Sequence, residues 1–389
     1  MRRVAVLTTS RADYGLLRPV MRAIVAAPDL ELLPVVAGMH LVPELGHTHR
    51  AIEEDGFVAV ETVEMLLASD TGRGVAKSIG VGILGYADAW ARLRPDLLVV
   101  LGDRFEVLAA AVSALPLRLP VAHIHGGEVT RGAIDEQARH ALTKLSHLHF
   151  VAAEEFRRRV LQMGEEPWRV IVSGAPGLDE LLGNATLSRE ELGAFLGMDL
   201  REPPLLVTWH PPTLEEPTAA VAQAVVLVAS LEVLGVPCVV TAPNADAGGR
   251  AVADVLRSFV ARAPERRCFV ESLGSCRYAS LMRHAAAMVG NSSSGLLEAP
   301  SFGLPAVNVG SRQEGRLRGR NVIDAAPTTD AIGAAIARAL DPTFRAALAG
   351  APNPYGDGHA AERIVAALTT VELGPTLLRK GFADLEFPG

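Results

Sequence analysis

The chain has 389 residues, of which 49% are hydrophobic and 21% charged, and its formal net charge is −7. This length exceeds one ordinary hydrophobic core and predicts two domains of roughly 150–200 residues each. A negative charge without a basic block argues against nucleic acid or an anionic membrane as the main partner, and no apolar stretch reaches the roughly 18–20 residues of a membrane-spanning helix.

Short runs rich in Val, Leu and Ala alternate with longer helix-like segments along the whole chain. Most of the runs are apolar on both faces, as expected of strands in a parallel sheet that helices cover on both sides. The alternation predicts an α/β fold built from doubly wound domains. The predicted strands span residues 4–8, 32–37, 97–101, 121–124, 148–152, 170–173, 205–209, 238–242, 268–271, 287–290 and 306–309.

A domain boundary is predicted near residue 180, where a strand ends in a Gly-Ala-Pro-Gly turn and a charged stretch without strands follows. We expect a Rossmann-like domain at residues 1–180, a second one at 181–365, and a tail at 366–389 that packs back on the first domain. Ligands of doubly wound folds bind beyond the carboxyl ends of the strands. Two such domains are therefore expected to face a central cleft that holds the site.

The first and third predicted strands both end in polar residues. Arg11 and Asp13 lie in TSRADYG, after the first strand, where no G-x-G-x-x-G dinucleotide motif is present. The planar guanidinium of Arg11 suits a phosphate clamp, and the alternative is a surface ion pair between Arg11 and Asp13. Asp103, after the strand at 97–101, suits either an active-site carboxylate or a helix N-cap.

The stretch HIHGGEVTRGAIDEQARH, residues 123–140, places eight ionisable side chains directly after an apolar run. From residue 134 the apolar spacing is helical, and this helix allows i,i+4 pairs of Asp135 with Arg139 and of Glu136 with His140. A structural ion-pair network is therefore one interpretation of the stretch.

Helical pairing does not account for His125, Glu128 and Asp135, which converge near one strand end. His123 and His125 project to the same face, because side chains alternate along a strand. An H-x-H metal site is an alternative, but no third ligand stands at a standard spacing, so we expect no metal. Proton transfer is the other interpretation.

Two strand ends in the second half carry further candidates. His210 closes the apolar run LLVTWH, where a structural and a catalytic role are equally open. The segment GNSSSGLLE follows the strand at 287–290 and opens a helix, so that its main-chain N–H groups, hydroxyls and helix dipole favour an anion. Glu298, one turn later, suits a ribose diol, and Arg312 adds positive charge near the same edge. The alternative is serine capping with a solvated Glu298.

The three cysteines show no C-x-x-C spacing. They predict reduced side chains in a cytoplasmic protein, and they do not indicate a disulfide framework or a zinc site.

Together these motifs resemble a known family. The segments TSRADYG, GDRFE, HIHGGEVT, GAIDE, RHALTKLSHLHF, VSGAPGLD, WHP and GNSSSGLLEAPSFG, with a following RQ-x-GR, are similar to the hydrolysing UDP-N-acetylglucosamine 2-epimerases of sialic acid and related nonulosonic acid pathways. They stand in the family's order and span about residues 1–325. The resemblance implies a GT-B type fold of two Rossmann-like domains, with a UDP-sugar bound mainly by the C-terminal one.

The resemblance also implies roles for individual residues. Nucleotide-sugar binding is implied for Arg11, Ala12, Asp13, Arg104, Ser292, Ser293, Ser294, Gly295, Glu298 and Arg312. Catalysis, or contact with the reacting sugar, is implied for Asp103, Asp135 and His210, and we add His125 and Glu128 as further catalytic candidates. The family chemistry needs no metal and no other cofactor: a base removes the proton at sugar C2 while UDP leaves from C1, and water then adds to release N-acetylmannosamine.

One departure bears on the chemistry. Many relatives carry Glu as the third residue of an HIEGG motif, where this chain has His125. The expected carboxylate is therefore replaced, or its role moves to His125 or Glu128. The segment from Glu128 to Asp135 is also one residue longer than in some relatives.

Several alternatives stay open on the sequence. A non-hydrolysing 2-epimerase is disfavoured because its HVEAGLR and HRREN signatures are absent. A hydrolysing enzyme for a UDP- or GDP-linked diacetylbacillosamine fits the same motifs, and a GT-B glycosyltransferase would share the fold. The resemblance further implies a homodimer or homotetramer. It also implies a regulatory nucleotide-sugar site near Asn244, Asp246 and Arg250.

Overall fold

The computed structural model describes residues 1–43, 48–69, 71–129, 134–184, 186–211, 217–244 and 248–384. The chain forms two compact units. The first contains Met1–Glu180 together with the chain from Gly358 onward, and the second contains Leu181–Asp357.

Each unit is built on one parallel β-sheet. The strands are β1 Arg2–Thr8, β2 Leu30–Ala37, β3 Glu61–Val63, β4 Leu97–Leu101, β5 Val121–Ile124, β6 Leu148–Val151, β7 Val170–Val172, β8 Leu205–Thr208, β9 Cys238–Thr241, β10 Arg267–Val270, β11 Ala287–Gly290, β12 Ala306–Val309 and β13 Val322–Ala325. The first sheet has the order β3-β2-β1-β4-β5-β6-β7, and the second has the order β10-β9-β8-β11-β12-β13.

Helices connect the strands. They are α1 Arg11–Ala26, α2 Arg50–Glu54, α3 Gly72–Leu93, α4 Phe105–Ala114, α5 Ile134–Leu145, α6 Glu154–Gln162, α7 Pro176–Gly183, α8 Arg189–Leu196, α9 Pro217–Leu234, α10 Gly249–Ala261, α11 Gly274–His284, α12 Ser294–Leu297, α13 Thr329–Leu340, α14 Pro342–Ala347, α15 Ala360–Thr370 and α16 Pro375–Leu378. In the described part of the chain, none of these helices combines the length and apolarity that a membrane span requires.

Alternation along the strands explains why both faces of each sheet are covered. In β1, Val4 and Val6 belong to the apolar core on one face, and Ala5 and Leu7 belong to the core on the other. Successive side chains of a strand point to opposite faces, so a strand that is apolar throughout needs helices on both sides. The predicted α/β class with two doubly wound parallel sheets is confirmed.

All eleven predicted strands are present, and two described strands were missed. The missed strands, β3 and β13, lie at the outer edges of their sheets. Strand β3 has the sequence ETV and strand β13 the sequence VIDA, so each contains a charged residue. The continuous apolar run that marks a central strand is therefore absent from both.

The C-terminal segment returns to the first unit at Gly358, whereas the sequence analysis extended the second domain to residue 365. Helix α15 buries Ile364 and Leu368 in the core under α1. The carboxylate of Asp179 accepts hydrogen bonds from the first main-chain N–H groups of α15, at 3.0 and 2.6 Å. The side chain of Arg169 then holds the main-chain carbonyls of residues 376, 377 and 379.

Candidate functional site

The loop after β4 presents Asp103 as a partly buried, ion-paired carboxylate. The N-cap of α4 is Arg104 rather than Asp103, so the capping interpretation of Asp103 does not hold. An Nη of Arg139, a buried residue of α5, donates to the Asp103 carboxylate. The pKa of Asp103 is raised, chiefly by burial; the carboxylates of Asp135 and Glu128 add to the rise, and Arg139 opposes it. A carboxyl group with a raised pKa is suited to proton transfer.

His123 supports this loop from the neighbouring strand. Strands β4 and β5 pair in parallel, so their carboxyl ends lie side by side. The Nε2 of fully buried His123 donates to the carbonyl oxygen of Gly102 at 2.7 Å. Burial lowers the pKa of His123 to about 3, so the ring is neutral at physiological pH. His123 therefore fixes the main chain next to Asp103, a role that the sequence analysis did not assign.

His125 and Glu128 form a pair at the end of β5. The distance between His125 Nδ1 and Glu128 Oε1 is 2.5 Å. The main chain of His125 has a φ of 69°, in the left-handed region that residues other than glycine seldom adopt. Gly127 (φ 76°) completes the turn, and a Cβ there would lie 2.5 Å from the carbonyl oxygen of Phe156. The turn that holds His125 therefore depends on close main-chain packing.

The helical pairs expected within α5 are found in part. The distance between Glu136 Oε1 and His140 Nε2 is 3.5 Å, which confirms the predicted i,i+4 pair. Arg139, expected to pair with Asp135, reaches Asp103 on the preceding strand end. Asp135 is near enough to Asp103 to raise its pKa. Among the described residues, no three His, Cys, Asp or Glu side chains are grouped to hold a metal ion.

The end of β1 carries the candidates nearest the N-terminus. Asp13 is buried, and its oxygens accept hydrogen bonds from the hydroxyls of Thr8 and Thr9 at 2.7 Å and from the N–H groups of Thr9 and Ser10 at 2.9 Å. Because Asp13 is buried and organises this loop, the alternative of a surface ion pair with Arg11 is excluded.

The cationic candidates of the first unit differ in exposure. Arg11 and Ala12 are exposed in the first turn of α1. Arg104 is partly buried and forms a two-point ion pair with the fully buried carboxylate of Glu106, at 2.6 and 3.2 Å. Arg11 is thus the more accessible of the two cations. The nucleotide-binding roles of Arg11, Ala12, Asp13 and Arg104 stay predictions.

His210 in the second unit is held by two neighbouring strand ends. The amide side chain of Asn291 accepts from the His210 N–H and donates to the His210 carbonyl, both at 2.7 Å. The Asn244 N–H donates to His210 Nδ1 at 3.0 Å, so the proton of the neutral ring lies on Nε2. Gln313 Nε2 in turn donates to the Asn291 carbonyl at 2.8 Å. The ring is therefore oriented before any ligand arrives.

The serine segment after β11 forms a short turn. Helix α12 has four residues, Ser294–Leu297, so the helix dipole expected there is small, and anion binding at this turn stays a prediction that depends on local N–H groups and hydroxyls. The Ser294 hydroxyl bonds to Glu298, and burial raises the pKa of that carboxyl group. An Nη of Arg312 donates to the Asn291 carbonyl at 3.2 Å, which places Arg312 beside the segment.

A glycine makes this arrangement possible. Gly290 ends β11 with a φ of 141°, and a Cβ there would lie 1.9 Å from the Thr208 carbonyl oxygen. The close approach of β11 to β8 brings the serine segment beside His210. No local pattern marks Asn291 and Gln313 as positioning residues, although both stand inside the motifs GNSSSG and RQ-x-GR.

The residues predicted for a regulatory site are only partly described. Asp246 lies outside the described residues. Arg250 is exposed in the first turn of α10, and the main chain of Asn244 is bonded to His210.

Comparisons with known proteins cover nearly the whole chain. The sequence profile of the family described as UDP-N-acetylglucosamine 2-epimerase matches residues 22–369. The chain is 37% identical over 382 residues to the UDP-N,N'-diacetylbacillosamine 2-epimerase (hydrolyzing) of Legionella pneumophila, with 98% of this chain and 99% of the relative covered. It is 37% identical over 324 residues to the GDP/UDP-N,N'-diacetylbacillosamine 2-epimerase (hydrolyzing) of Campylobacter jejuni, covering 83% and 84%.

A crystal structure has the same fold. The UDP-GlcNAc 2-epimerase from Neisseria meningitidis, bound to UDP-GlcNAc, superposes with a TM-score of 0.74 at 18% sequence identity, covering 95% of this chain and 99% of the other. At this identity the likeness is one of fold.

Proposed function

The chain belongs to the UDP-N-acetylglucosamine 2-epimerase family, and from this premise we propose that it is a hydrolysing 2-epimerase of a UDP-linked 2-acetamido sugar. The observation that carries the proposal is the 37% identity over 98% of the chain to a relative named as a hydrolysing 2-epimerase. The acid–base groups gathered at the ends of β4 and β5 supply the chemistry that such a reaction needs.

Two sugars fit the proposal. On the sequence motifs alone, UDP-N-acetylglucosamine is the first expectation and a diacetylbacillosamine nucleotide the second. The names of the Legionella and Campylobacter relatives favour UDP-N,N'-diacetylbacillosamine, and the Campylobacter name leaves GDP open as the nucleotide. Both sugars carry the 2-acetamido group and the C2 proton at which the reaction takes place.

In the proposed mechanism, a base removes the proton at C2 while the bond between C1 and the diphosphate oxygen breaks. A C1–C2 double bond forms and UDP leaves. Water then adds its oxygen to C1, and a proton returns to C2 on the opposite face, which inverts the configuration. Because the proton leaves from one face and returns to the other, the reaction needs two proton-handling groups.

The first unit carries two such groups on adjacent strand ends. One is Asp103 with its Arg139 ion pair, and the other is His125 with Glu128. Asp135 lies near Asp103 and is proposed to contact the reacting sugar.

The second unit is proposed to bind UDP. The hydroxyls and N–H groups at residues 292–295 are proposed to bind the diphosphate, with Arg312 beside them and Glu298 accepting from the ribose hydroxyls. Donors held in place before the reaction stabilise the negative charge that develops as UDP leaves. His210, oriented by Asn291 and Asn244, is proposed to face the diphosphate or the sugar.

We further propose that the protein acts in a sialic or related nonulosonic acid pathway, assembles as a homodimer or homotetramer and is cytoplasmic. A regulatory nucleotide-sugar site near Asn244, Asp246 and Arg250 is also proposed.

The test is incubation of the protein with UDP-N,N'-diacetylbacillosamine or UDP-N-acetylglucosamine in heavy water, followed by NMR. Free UDP and a free 2-epimerised sugar with deuterium at C2 are expected, with the higher kcat/KM identifying the substrate. A 2-epimerised UDP-sugar without free UDP would assign the chain to the non-hydrolysing reaction. Free UDP without deuterium at C2 would refute proton abstraction. Sugar transfer to an added acceptor would indicate a glycosyltransferase.

A further inference from the structure

The pair formed by His125 and Glu128 has the geometry of an activated base. The Nδ1 of His125 lies 2.5 Å from a carboxylate oxygen of Glu128. A carboxylate accepts hydrogen bonds and does not donate, so this contact places a proton on Nδ1. In the neutral ring Nε2 then carries a lone pair. This nitrogen is buried and has no hydrogen-bond partner among the residues that the structure describes.

The main chain at this point holds the ring in an unusual conformation. His125 is one of three described residues other than glycine with a positive φ. Such conformations are unfavourable for residues with a side chain and persist only where the surrounding structure imposes them. The His125 N–H donates to the Phe150 carbonyl at 3.0 Å, and an Nη of Arg159 holds the Gly127 carbonyl. The turn is therefore fastened to β6 and α6.

The same strand end lies next to Asp103, because β4 and β5 pair in parallel. The charge of Glu128 is felt at Asp103, where it contributes to the raised pKa. The two groups nevertheless have separate partners, since Asp103 is held by Arg139 and His125 by Glu128. Two independently supported proton-handling groups stand side by side.

We propose that His125 Nε2 is the base that removes the sugar C2 proton and that Glu128 is its positioning residue. This proposal rests on the proposed function and assigns one of its steps. The electron pair of the C2–H bond forms the C1–C2 double bond, UDP leaves with the C1–O bonding pair, and the proton moves to Nε2. Glu128 orients the ring and offsets the positive charge that the imidazolium acquires. Asp103, in its protonated form, then adds its proton to C2 from the opposite face and takes up the proton that water loses as its oxygen bonds to C1, while the imidazolium releases its proton to solvent.

The first test reads the ring directly and needs no turnover. Protein labelled with ¹⁵N-histidine is examined by long-range ¹H–¹⁵N correlation, and the His125 signals are assigned from their loss in His125→Asn. Asparagine is chosen because it tolerates positive φ better than most residues. We expect the Nδ1–H tautomer in the native protein and in Glu128→Gln, whose amide oxygen still accepts, and a mixture of tautomers in Glu128→Ala. An Nε2–H tautomer in the native protein would overturn the proposal.

The second test is a double-mutant cycle on turnover. His125→Asn should lower kcat by about 10²–10⁴-fold, the usual contribution of a general base. Glu128→Ala should lower kcat at least about tenfold, and the double variant should stay within about threefold of His125→Asn, because Glu128 acts only through His125. The Kd for UDP should change less than about threefold in each variant, since these residues do not bind the diphosphate.

Glu136 and His140 provide the matched control, as a second histidine–carboxylate pair on the following helix. Glu136→Ala and His140→Asn should leave kcat within about twofold of the native value. Losses in kcat that add in the His125–Glu128 cycle would show that Glu128 acts on its own and would refute the proposed pair. If the native protein turns over no UDP-sugar, the proposed function fails, whereas the tautomer measurement still decides whether the pair exists.

Discussion

Replacing Asn291 with alanine tests whether the loop after β11 holds His210 in place. The Asn291 amide bonds to both main-chain polar groups of His210, at 2.7 Å each. Both residues are buried, and each polar group that loses its partner in a buried site costs about 1–3 kcal/mol. The free energy of unfolding should therefore fall by about 2–6 kcal/mol, toward the lower end where water fills the vacated volume.

The matched control is Asn321→Ala. Asn321 is similarly buried, and its amide donates to two main-chain carbonyls, those of Gly295 and Leu304, at 3.1 and 3.0 Å. Both variants should be destabilised, and Asn321→Ala should also weaken UDP binding because it frees the Gly295 carbonyl in the segment proposed to bind the diphosphate, but only Asn291→Ala displaces His210. We expect kcat to fall by about 100-fold in Asn291→Ala alone, because a displacement of about 1 Å at a catalytic group has an effect of this size.

The assay is urea unfolding followed by fluorescence, with Trp90 and Trp168 replaced by phenylalanine in every protein compared. The remaining Trp209 is fully buried in the second unit next to His210. Turnover is measured at a temperature where both variants are folded. The reasoning would be refuted if the free energy of unfolding fell by less than about 1 kcal/mol in Asn291→Ala, or if kcat fell as much in Asn321→Ala as in Asn291→Ala.

Three further predictions concern single carboxyl groups. Asp103→Asn should abolish turnover, and its Kd for UDP, measured by calorimetry, should stay within about threefold of the native value. Normal turnover in this variant would show that Asp103 takes no part in the mechanism. Glu298→Ala should raise the Kd for UDP by about tenfold or more with little change in thermal stability, and an unchanged Kd would contradict ribose binding. Burial alone would raise the pKa of Glu165, but hydrogen bonds from His149, Lys144 and Lys380 lower it to about 2. The ionised carboxylate stabilises the fold above its ordinary pKa of 4.5, and this stabilisation is lost as the pH falls from about 5 to 2. Between these pH values the free energy of unfolding should therefore fall by about 3 kcal/mol less in Glu165→Gln than in the native protein. Parallel plots of unfolding free energy against pH for the two proteins would contradict this.

Much of the fold could be predicted from local patterns. The eleven predicted strands were found because each contains a largely apolar run, as expected of a strand that helices cover on both faces. The edge strands β3 and β13 were missed because their sequences lack that pattern and their pairing depends on distant residues. The return of the chain to the first unit at Gly358 likewise depends on contacts between α15 and α1, which are far apart in sequence.

The candidate site shows the same division between local and distant information. The i,i+4 pair of Glu136 and His140 was predicted correctly, because helical spacing alone determines which residues meet. The ion-pair partner of Arg139 was predicted wrongly, since its Nη donates to Asp103 in the loop after β4 and not to Asp135 on the same helix. No spacing rule relates residues 36 positions apart when the chain between them includes a helix and a strand.

The sequence by itself determined the fold class, the family and the strand ends that carry the candidate site residues, because periodicity, composition and short motifs are local properties. Only the tertiary structure decided how those residues are paired and oriented. In the folded chain the Asp13 carboxylate accepts hydrogen bonds within its own loop, and the Asn291 amide bonds to the main chain of His210. His125 contacts Glu128 from a main-chain conformation in the left-handed region. The physical reason is that burial, charge and hydrogen-bond partners are shared among strands that meet only when the sheet has formed.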